Sequence, residues 1–364
     1  MSGSNSQSGS AEQPSYMFLW KQMSSYAAAC IGALAADGAR IWSTHQVSTE
    51  VAPYEDDAWG IPSLAWTQSP DVGAIHAAIE SHRPHALIVS SWNIADYRRI
   101  ARRQRGGPLR VLCMDNQWLG TLRQRAACVS SRWYLRSAFD VAWVPGDGAF
   151  EFAQRLGFAP STIWWGLYSA DVEAFEPPAG QPPSESFVFV GRLVEAKGID
   201  VLAEAYQRYR AAVASPWPLL VAGTGDKQSR LQHVQGVEML GFIQPADLPG
   251  ILRQAGCLVL PSRFEPWGVV VHEATAAGLP VIASTACGAT RRLVLDGHNG
   301  RLVAAGDADD LCRALIEQSS RTPADRSIQS ERSSRLAQQL TPEQWVQTLQ
   351  RGTKKFHALR GESR

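Results

Sequence analysis

Nine short, nearly continuous apolar runs recur along this chain, and few architectures can accommodate them. MFLW, ARIWS, ALIVSSW, RVLCMD and VAWVP lie in the first half; FVFVG, PLLVAG, CLVLPS and PVIAS lie in the second. Such runs read as strands buried on both faces, and the amphipathic stretches between them read as helices. Strands alternating with helices predict parallel sheets covered by helices on both sides. At 364 residues the chain is long for one core and comfortable for two. The expected fold is α/β: two Rossmann-like doubly wound domains with a cleft between them.

Composition divides the chain further. Residues 1–14 read as a disordered N-terminus, 15–176 as the first domain, the Pro/Gly/Ser-rich stretch 177–186 as a linker and 187–338 as the second domain. Thr341, Pro342 and Gln344 form a helix start with cap, first-turn proline and capping-box partner. Residues 339–364 are therefore expected to form a C-terminal helix whose Trp345 and Phe356 pack back across the domains.

The net charge of +1 argues against bulk binding to nucleic acid. No apolar run approaches the length of a bilayer span, and the start MSGSNSQSGSAEQPS lacks the regions of a signal peptide. The expected location is cytoplasmic. Six scattered cysteines without a C-x-x-C pair read as reduced core thiols.

Candidate site residues follow the second-half strands. Gly191 ends a strand, and Arg192 and Lys197 follow where a doubly wound sheet opens its ligand crevice; two cations there suit a diphosphate, although such a pair can also be a solvated surface. Gly223 and Gly225 follow another strand and shape either a crevice floor or a tight turn. Glu265 and Glu273 stand eight residues apart around a helix start near Trp267. Each carboxylate can accept two hydroxyl hydrogen bonds, and both can border one cleft. A helix N-terminus at Trp267, Gly268 and Val269 would face phosphates with backbone amides. No metal site is expected: His272 has no second histidine at zincin spacing, and Asp307 or Asp309 in GDADDLCRAL reads as a helix cap.

Four successive segments, FVFVGRLVEAKGIDVLAEA, LLVAGTGD, VEMLGFIQPADLPGILRQAGCLVLPS and FEPWGVVVHEATAAGLPVIAS with DGHNGRLV, resemble the donor-binding half of retaining glycosyltransferases of the family 4 type (glycosyl transferases group 1), which have the GT-B fold. The resemblance covers about a third of the chain and implies transfer of a hexose, with retention, from a nucleotide-diphosphate sugar to a glycan or lipid-linked acceptor in cell-surface polysaccharide biosynthesis. It assigns Arg192 and Lys197 to the diphosphate leaving group, Glu265 to the donor sugar and Glu273 to the ribose. Gly241 and Phe242 match the position that holds the base, while Phe242 reads equally as a core residue. The nucleotide sugar is the donor substrate, and neither a cofactor nor a metal is implied. A GT-B nucleotide-sugar epimerase and a noncatalytic nucleotide- or glycan-binding scaffold are the alternatives.

The first half should recognise the acceptor. Between Arg83 and Arg136 stand eleven arginines against Asp96 and Asp115, which reads as a solvated face or as a surface for anionic lipid, with peripheral membrane attachment through residues 98–136. Trp92 and Trp118 follow strands and can stack on sugars; Asp115 and Asn116, with Gln117, form a polar run at a strand exit. His45 is a further candidate there. The family's glycine-rich loop is replaced by WKQMSSY, leaving Ser24 and Ser25 at the expected acceptor wall, and its histidine motif is replaced by MDNQW.

Overall fold

The computed structural model describes residues 13–47, 63–177 and 184–361. Most of the 1–14 segment and of the 177–186 linker, where disorder and a flexible connection are expected, lies outside the described residues. The first sheet contains β1 (Ser15–Leu19), β2 (Arg40–Gln46), β3 (Ser63–Trp66), β4 (Ala86–Val89), β5 (Leu109–Cys113), β6 (Val141–Val144) and β7 (Ile163–Trp165). Their spatial order is β3-β2-β1-β4-β5-β6-β7, and every neighbouring pair is parallel. The second sheet contains β8 (Phe187–Val190), β9 (Leu219–Ala222), β10 (Val237–Gly241), β11 (Cys257–Leu260), β12 (Val281–Ser284) and β13 (Gly300–Val303), ordered β10-β9-β8-β11-β12-β13 and again parallel.

The nine apolar runs are the nine interior strands, and the four strands without such a run, β3, β7, β10 and β13, are the four sheet edges. An interior strand of a covered parallel sheet is buried on both faces and is therefore mostly apolar, although β2 also buries Ser43, Thr44 and His45. An edge strand is not so constrained, and β10 is half-exposed along most of its length. Both sheets reverse strand order beside their first strand, between β1 and β4 and between β8 and β11. Crevices open at the carboxyl ends of strands at such points.

Helices α1 (Ser25–Ala36), α2 (Val72–His82), α3 (Ala95–Arg103), α4 (Leu122–Tyr134) and α5 (Asp147–Arg155) join the strands of the first domain. Alternating residues along β4 divide its core: Leu87 and Val89 pack with Phe152 on one face, and Ala86 and Ile88 pack with Phe18 and Trp143 on the other. The chain then passes through α6 (Val172–Phe175), whose Val172 and Phe175 already belong to the second core with Phe187, Phe189 and Leu258. The second domain carries α7 (Ile199–Ala212), α8 (Leu248–Arg253), α9 (Val269–Ala276), α10 (Thr290–Leu293) and α11 (Ala308–Ser319).

The last two helices, α12 (Pro323–Ala337) and α13 (Pro342–Leu359), return the chain: α12 packs on α9 and α13 packs on α1. Thr341 caps α13 by accepting from the Gln344 backbone N–H at 3.3 Å. The reciprocal half of a capping box is absent, because the Gln344 amide instead reaches the Gln338 carbonyl at 3.4 Å. Trp345 stacks on Trp143 with ring centroids 4.7 Å apart and donates to the Leu167 carbonyl at 3.0 Å. The helix thus supplies the missing layer over one face of the first sheet.

Candidate active site between the two sheets

Residues after β1 and residues after β8 line one cavity of about 620 Å³, so the switch points of both sheets contribute to a single site. The turn after β8 brings Gly191, Arg192 and Lys197 to it, and the turn after β9 brings Gly223. These turns pack so closely that a Cβ on Gly223 would overlap the Gly191 carbonyl oxygen; no side chain fits there. Gly225 and Gly241 lie behind the lining. Gly225 covers the Leu193 backbone, and the Gly241 carbonyl accepts from the Gly223 N–H at 2.6 Å. Phe242 lines the cavity.

The segment between β11 and α9 supplies the acidic side. Glu265 lines the cavity and forms an ion pair with Lys197, joining the β8 turn to the β11 turn; their side chains are only 13% and 16% exposed. Gly268 begins α9 at φ 89°, and a Cβ there would stand 2.8 Å from Cys287 Sγ and 3.0 Å from Glu265 Cγ, which reserves the position for glycine. The first amides of a helix lack intrahelical acceptors, and here Gly268, Val269 and Val270 line the cavity. The positive end of α9 therefore meets the site. Trp267 also touches the cavity, but its ring is buried against Gly146 of the first domain.

Glu273 is the fifth residue of α9 and lines the cavity while remaining 7% exposed, so it is not a solvated helix residue. Burial pushes its carboxyl up to about 7. The preceding residue, His272, faces away from the cavity. Its Nδ1 accepts from the Ala170 N–H at 2.9 Å, and its Nε2 lies 2.9 Å from the Ala337 carbonyl, to which it donates in that tautomer. Burial lowers the imidazole to about 4.

The first-domain wall contains Ser24 and Ser25 at the start of α1, together with Asp115 beyond β5. Ser24 Oγ is buried with no partner among the described residues. Burial raises the Asp115 carboxyl, whose Oδ2 accepts from the Tyr168 hydroxyl at 3.2 Å. The structure does not bring Trp92, Asn116 or Trp118 to the cavity. Trp92 donates to Asn116 Oδ1 at 3.0 Å and stacks on Tyr134, while Trp118 packs on Phe152 under Arg155. These aromatic rings are taken up by packing between α3, α4 and α5. His45 is buried within β2. Tyr26 and Tyr168, which line the cavity, have no motif to identify them in the sequence.

Among the described residues, no three His, Cys, Asp or Glu side chains converge as a metal-ligand set. Asp307 caps α11 by accepting from the Asp310 N–H at 2.9 Å, and Asp309 pairs with Arg208. No described helix is long and apolar enough to cross a membrane.

Residues 184–320 match the family model described as glycosyl transferases group 1. The glycogen synthase of Mycobacterium tuberculosis is 32% identical over 190 residues, covering 50% of this chain and 44% of that protein. The phosphatidyl-myo-inositol mannosyltransferase of Mycobacterium leprae is 34% identical over 145 residues, 38% of each chain. This chain thus spans less than half of either curated relative. Among solved structures, the Anabaena HepE protein in complex with UDP and glucose superposes with a TM-score of 0.73 at 16% identity, covering 94% of this chain and 100% of that one. The sucrose-phosphate synthase of Thermosynechococcus elongatus superposes at 0.72 with 20% identity, covering 95% and 100%. At these identities the structural likeness shows the fold, which is GT-B.

Proposed function

We propose that this GT-B chain, whose residues 184–320 match the group 1 glycosyltransferases, moves a hexose with retention from a nucleotide-diphosphate sugar to a glycan or lipid-linked acceptor. The observation that carries this reading is the convergence of Lys197, Glu265, Glu273 and the N-terminus of α9 on one cavity closed by the other domain. A diphosphate fits beside Arg192, Lys197 and the α9 amides, where positive charge is concentrated. Glu273 then takes the ribose hydroxyls and Glu265 the donor hexose, while Phe242 and the Gly241 backbone lie toward the base.

In this reading the bond from the sugar C1 to the diphosphate oxygen breaks and a bond to the acceptor oxygen forms on the same face. The acceptor proton passes to the departing diphosphate. Catalysis consists of positioning and of stabilising the leaving group with cations and amides, without a metal. Asp115, Ser24 and Ser25 are the acceptor-side groups that line the cavity.

The acceptor's setting is read from α4. Leu122, Val129 and Trp133 are 85%, 69% and 63% exposed, and their spacing of seven and four residues puts them on one face of the helix. Arg123 and Arg125 flank that face, and Arg102 on α3 donates to the Trp133 carbonyl at 2.9 Å, joining the two basic helices. An apolar stripe between cations suits the surface of an anionic membrane. Cytoplasmic, peripheral work on a cell-surface polysaccharide precursor is the corresponding setting.

Calorimetric titration with UDP, GDP and ADP, followed by product mass after incubation with the matching nucleotide sugars, tests the proposal. One nucleotide is expected to bind, with at least a tenfold loss in the Arg192→Ala/Lys197→Ala variant, and an acceptor is expected to gain one hexose. An isomerised donor would instead indicate an epimerase, and nucleotide binding without any product would indicate a scaffold.

A further inference from the structure

Gln117 lies outside the cavity lining, yet its side chain reaches the Glu265 backbone from the first domain. Its Nε2 donates to two carbonyl oxygens of the second domain, that of Pro266 at 2.8 Å and that of Glu265 at 3.2 Å. The side chain crosses the domain boundary in a slot made by two glycines. A Cβ on Gly148 of the first domain would stand 3.0 Å from Gln117 Cγ, and one on Gly288 of the second would stand 3.1 Å from Gln117 Nε2. A Cβ at Gly288 would also stand 2.3 Å from the Pro266 carbonyl oxygen, which excludes a side chain there, and one at Gly148 would press on the Gln117 side chain.

The slot is itself anchored. Gln124, near the start of α4, donates from Nε2 to the Gln117 carbonyl at 2.6 Å and accepts at Oε1 from the Leu119 N–H at 2.7 Å. Trp267 packs on Gly146 beside it, and the Arg292 guanidinium lies 4.7 Å above the Trp165 ring at the same boundary. Gln117 is thus tied to a first-domain helix at its backbone and to the Glu265–Pro266 segment at its side chain.

We infer that Gln117 is a positioning residue through which the first domain sets the Glu265 carboxylate for reaction. Both acceptor carbonyls flank the backbone turn that aims Glu265 at the cavity, so the two hydrogen bonds hold that turn only when the domains are apposed. With the domains apart, the Pro266 carbonyl loses the Gln117 amide, and Glu265 keeps the Gly288 N–H on its carbonyl at 3.1 Å and Lys197 on its carboxylate. The site is therefore complete only in the closed arrangement, which restricts donor activation to a cleft from which water is excluded. The inference rests on the transfer reading of the cavity.

Gln117→Met tests it, because methionine keeps the length of the side chain between the two glycines and removes the donor. Hydrogen–deuterium exchange of the segment 264–271 is expected to speed up in the variant while that of α7 is unchanged. Transfer is expected to fall about 10- to 100-fold in kcat, with nucleotide affinity within about twofold of wild type, as for a displaced reacting group. Gln117→Glu adds a second readout. Its carboxylate repels both carbonyls, whereas its protonated form can donate to one of them. Its kcat relative to wild type should therefore rise as pH falls, a profile that a purely structural contact would not produce. Unchanged exchange at 264–271, or faster exchange with wild-type kcat, would overturn the inference. If wild-type protein transfers no sugar, the transfer reading fails separately, and exchange still decides whether Gln117 holds the turn.

Discussion

His272 Nδ1 accepts a hydrogen bond from the backbone N–H of Ala170, 102 residues earlier in the chain, at 2.9 Å. The opposite nitrogen of the same ring meets the carbonyl of Ala337, so one buried side chain ties together the outgoing and returning passages between the domains. Ser169 Oγ donates to the Leu340 carbonyl at 3.0 Å alongside it.

His272→Ala should consequently be costly. It strands a buried N–H and a buried carbonyl and leaves a void, for an expected loss of about 2–5 kcal/mol in urea denaturation. A loss below about 1 kcal/mol would mean that the crossings are held by other contacts.

Glu273 and His272 should give opposing pH dependences. Burial raises Glu273 from 4.5 to about 7, so the folded state binds more protons than the unfolded state between those values, and this contribution to stability falls as pH rises through the window. Burial lowers His272 from 6.5 to about 4, so the folded state binds fewer protons there, and this contribution is lost as pH falls through the window. The two offset each other between pH 4.5 and 6.5. Glu273→Gln removes only the first effect. The ligand-free variant should exceed wild type at pH 8 by on the order of 3 kcal/mol and by much less at pH 5. An equal difference at both pH values would eliminate burial of the carboxyl as the cause.

Gly223→Ala should damage the floor of the cavity. The added Cβ overlaps the Gly191 carbonyl, which forces the ends of β8 and β9 apart. A stability loss of about 1–3 kcal/mol is expected, together with nucleotide affinity reduced at least tenfold. Near-wild-type nucleotide binding in calorimetry would separate these turns from the binding site.

Replacement of Leu122, Val129 and Trp133 together by serine should leave the fold intact, because all three are exposed. Co-sedimentation with vesicles containing phosphatidylglycerol should weaken, and wild-type binding should itself fall with added salt, since each basic residue near such a surface contributes about 1 kcal/mol. Wild-type protein that ignores anionic vesicles would remove the membrane from the proposal.

The amino-acid sequence by itself determined the two parallel sheets and the second-domain wall of the cavity. Interior strands are mostly apolar, so β1, β2, β4, β5, β6, β8, β9, β11 and β12 are visible as local runs, Gly191, Lys197 and Glu265 follow strand ends within a few residues, and Glu273 sits in the first turns of the next helix. Edge strands face solvent and carry no such run, which hid β3, β7, β10 and β13. Tertiary structure decided which of the first-domain candidates reach the cavity wall. Trp92, Asn116 and Trp118 follow strands just as Asp115 does, but packing of α3, α4 and α5 takes them away from the cavity and leaves Asp115 in it. Local patterns record whether a residue is buried, whereas its neighbour across a domain boundary, as with Gln117 and Pro266 or His272 and Ala170, depends on how two separately folded sheets dock.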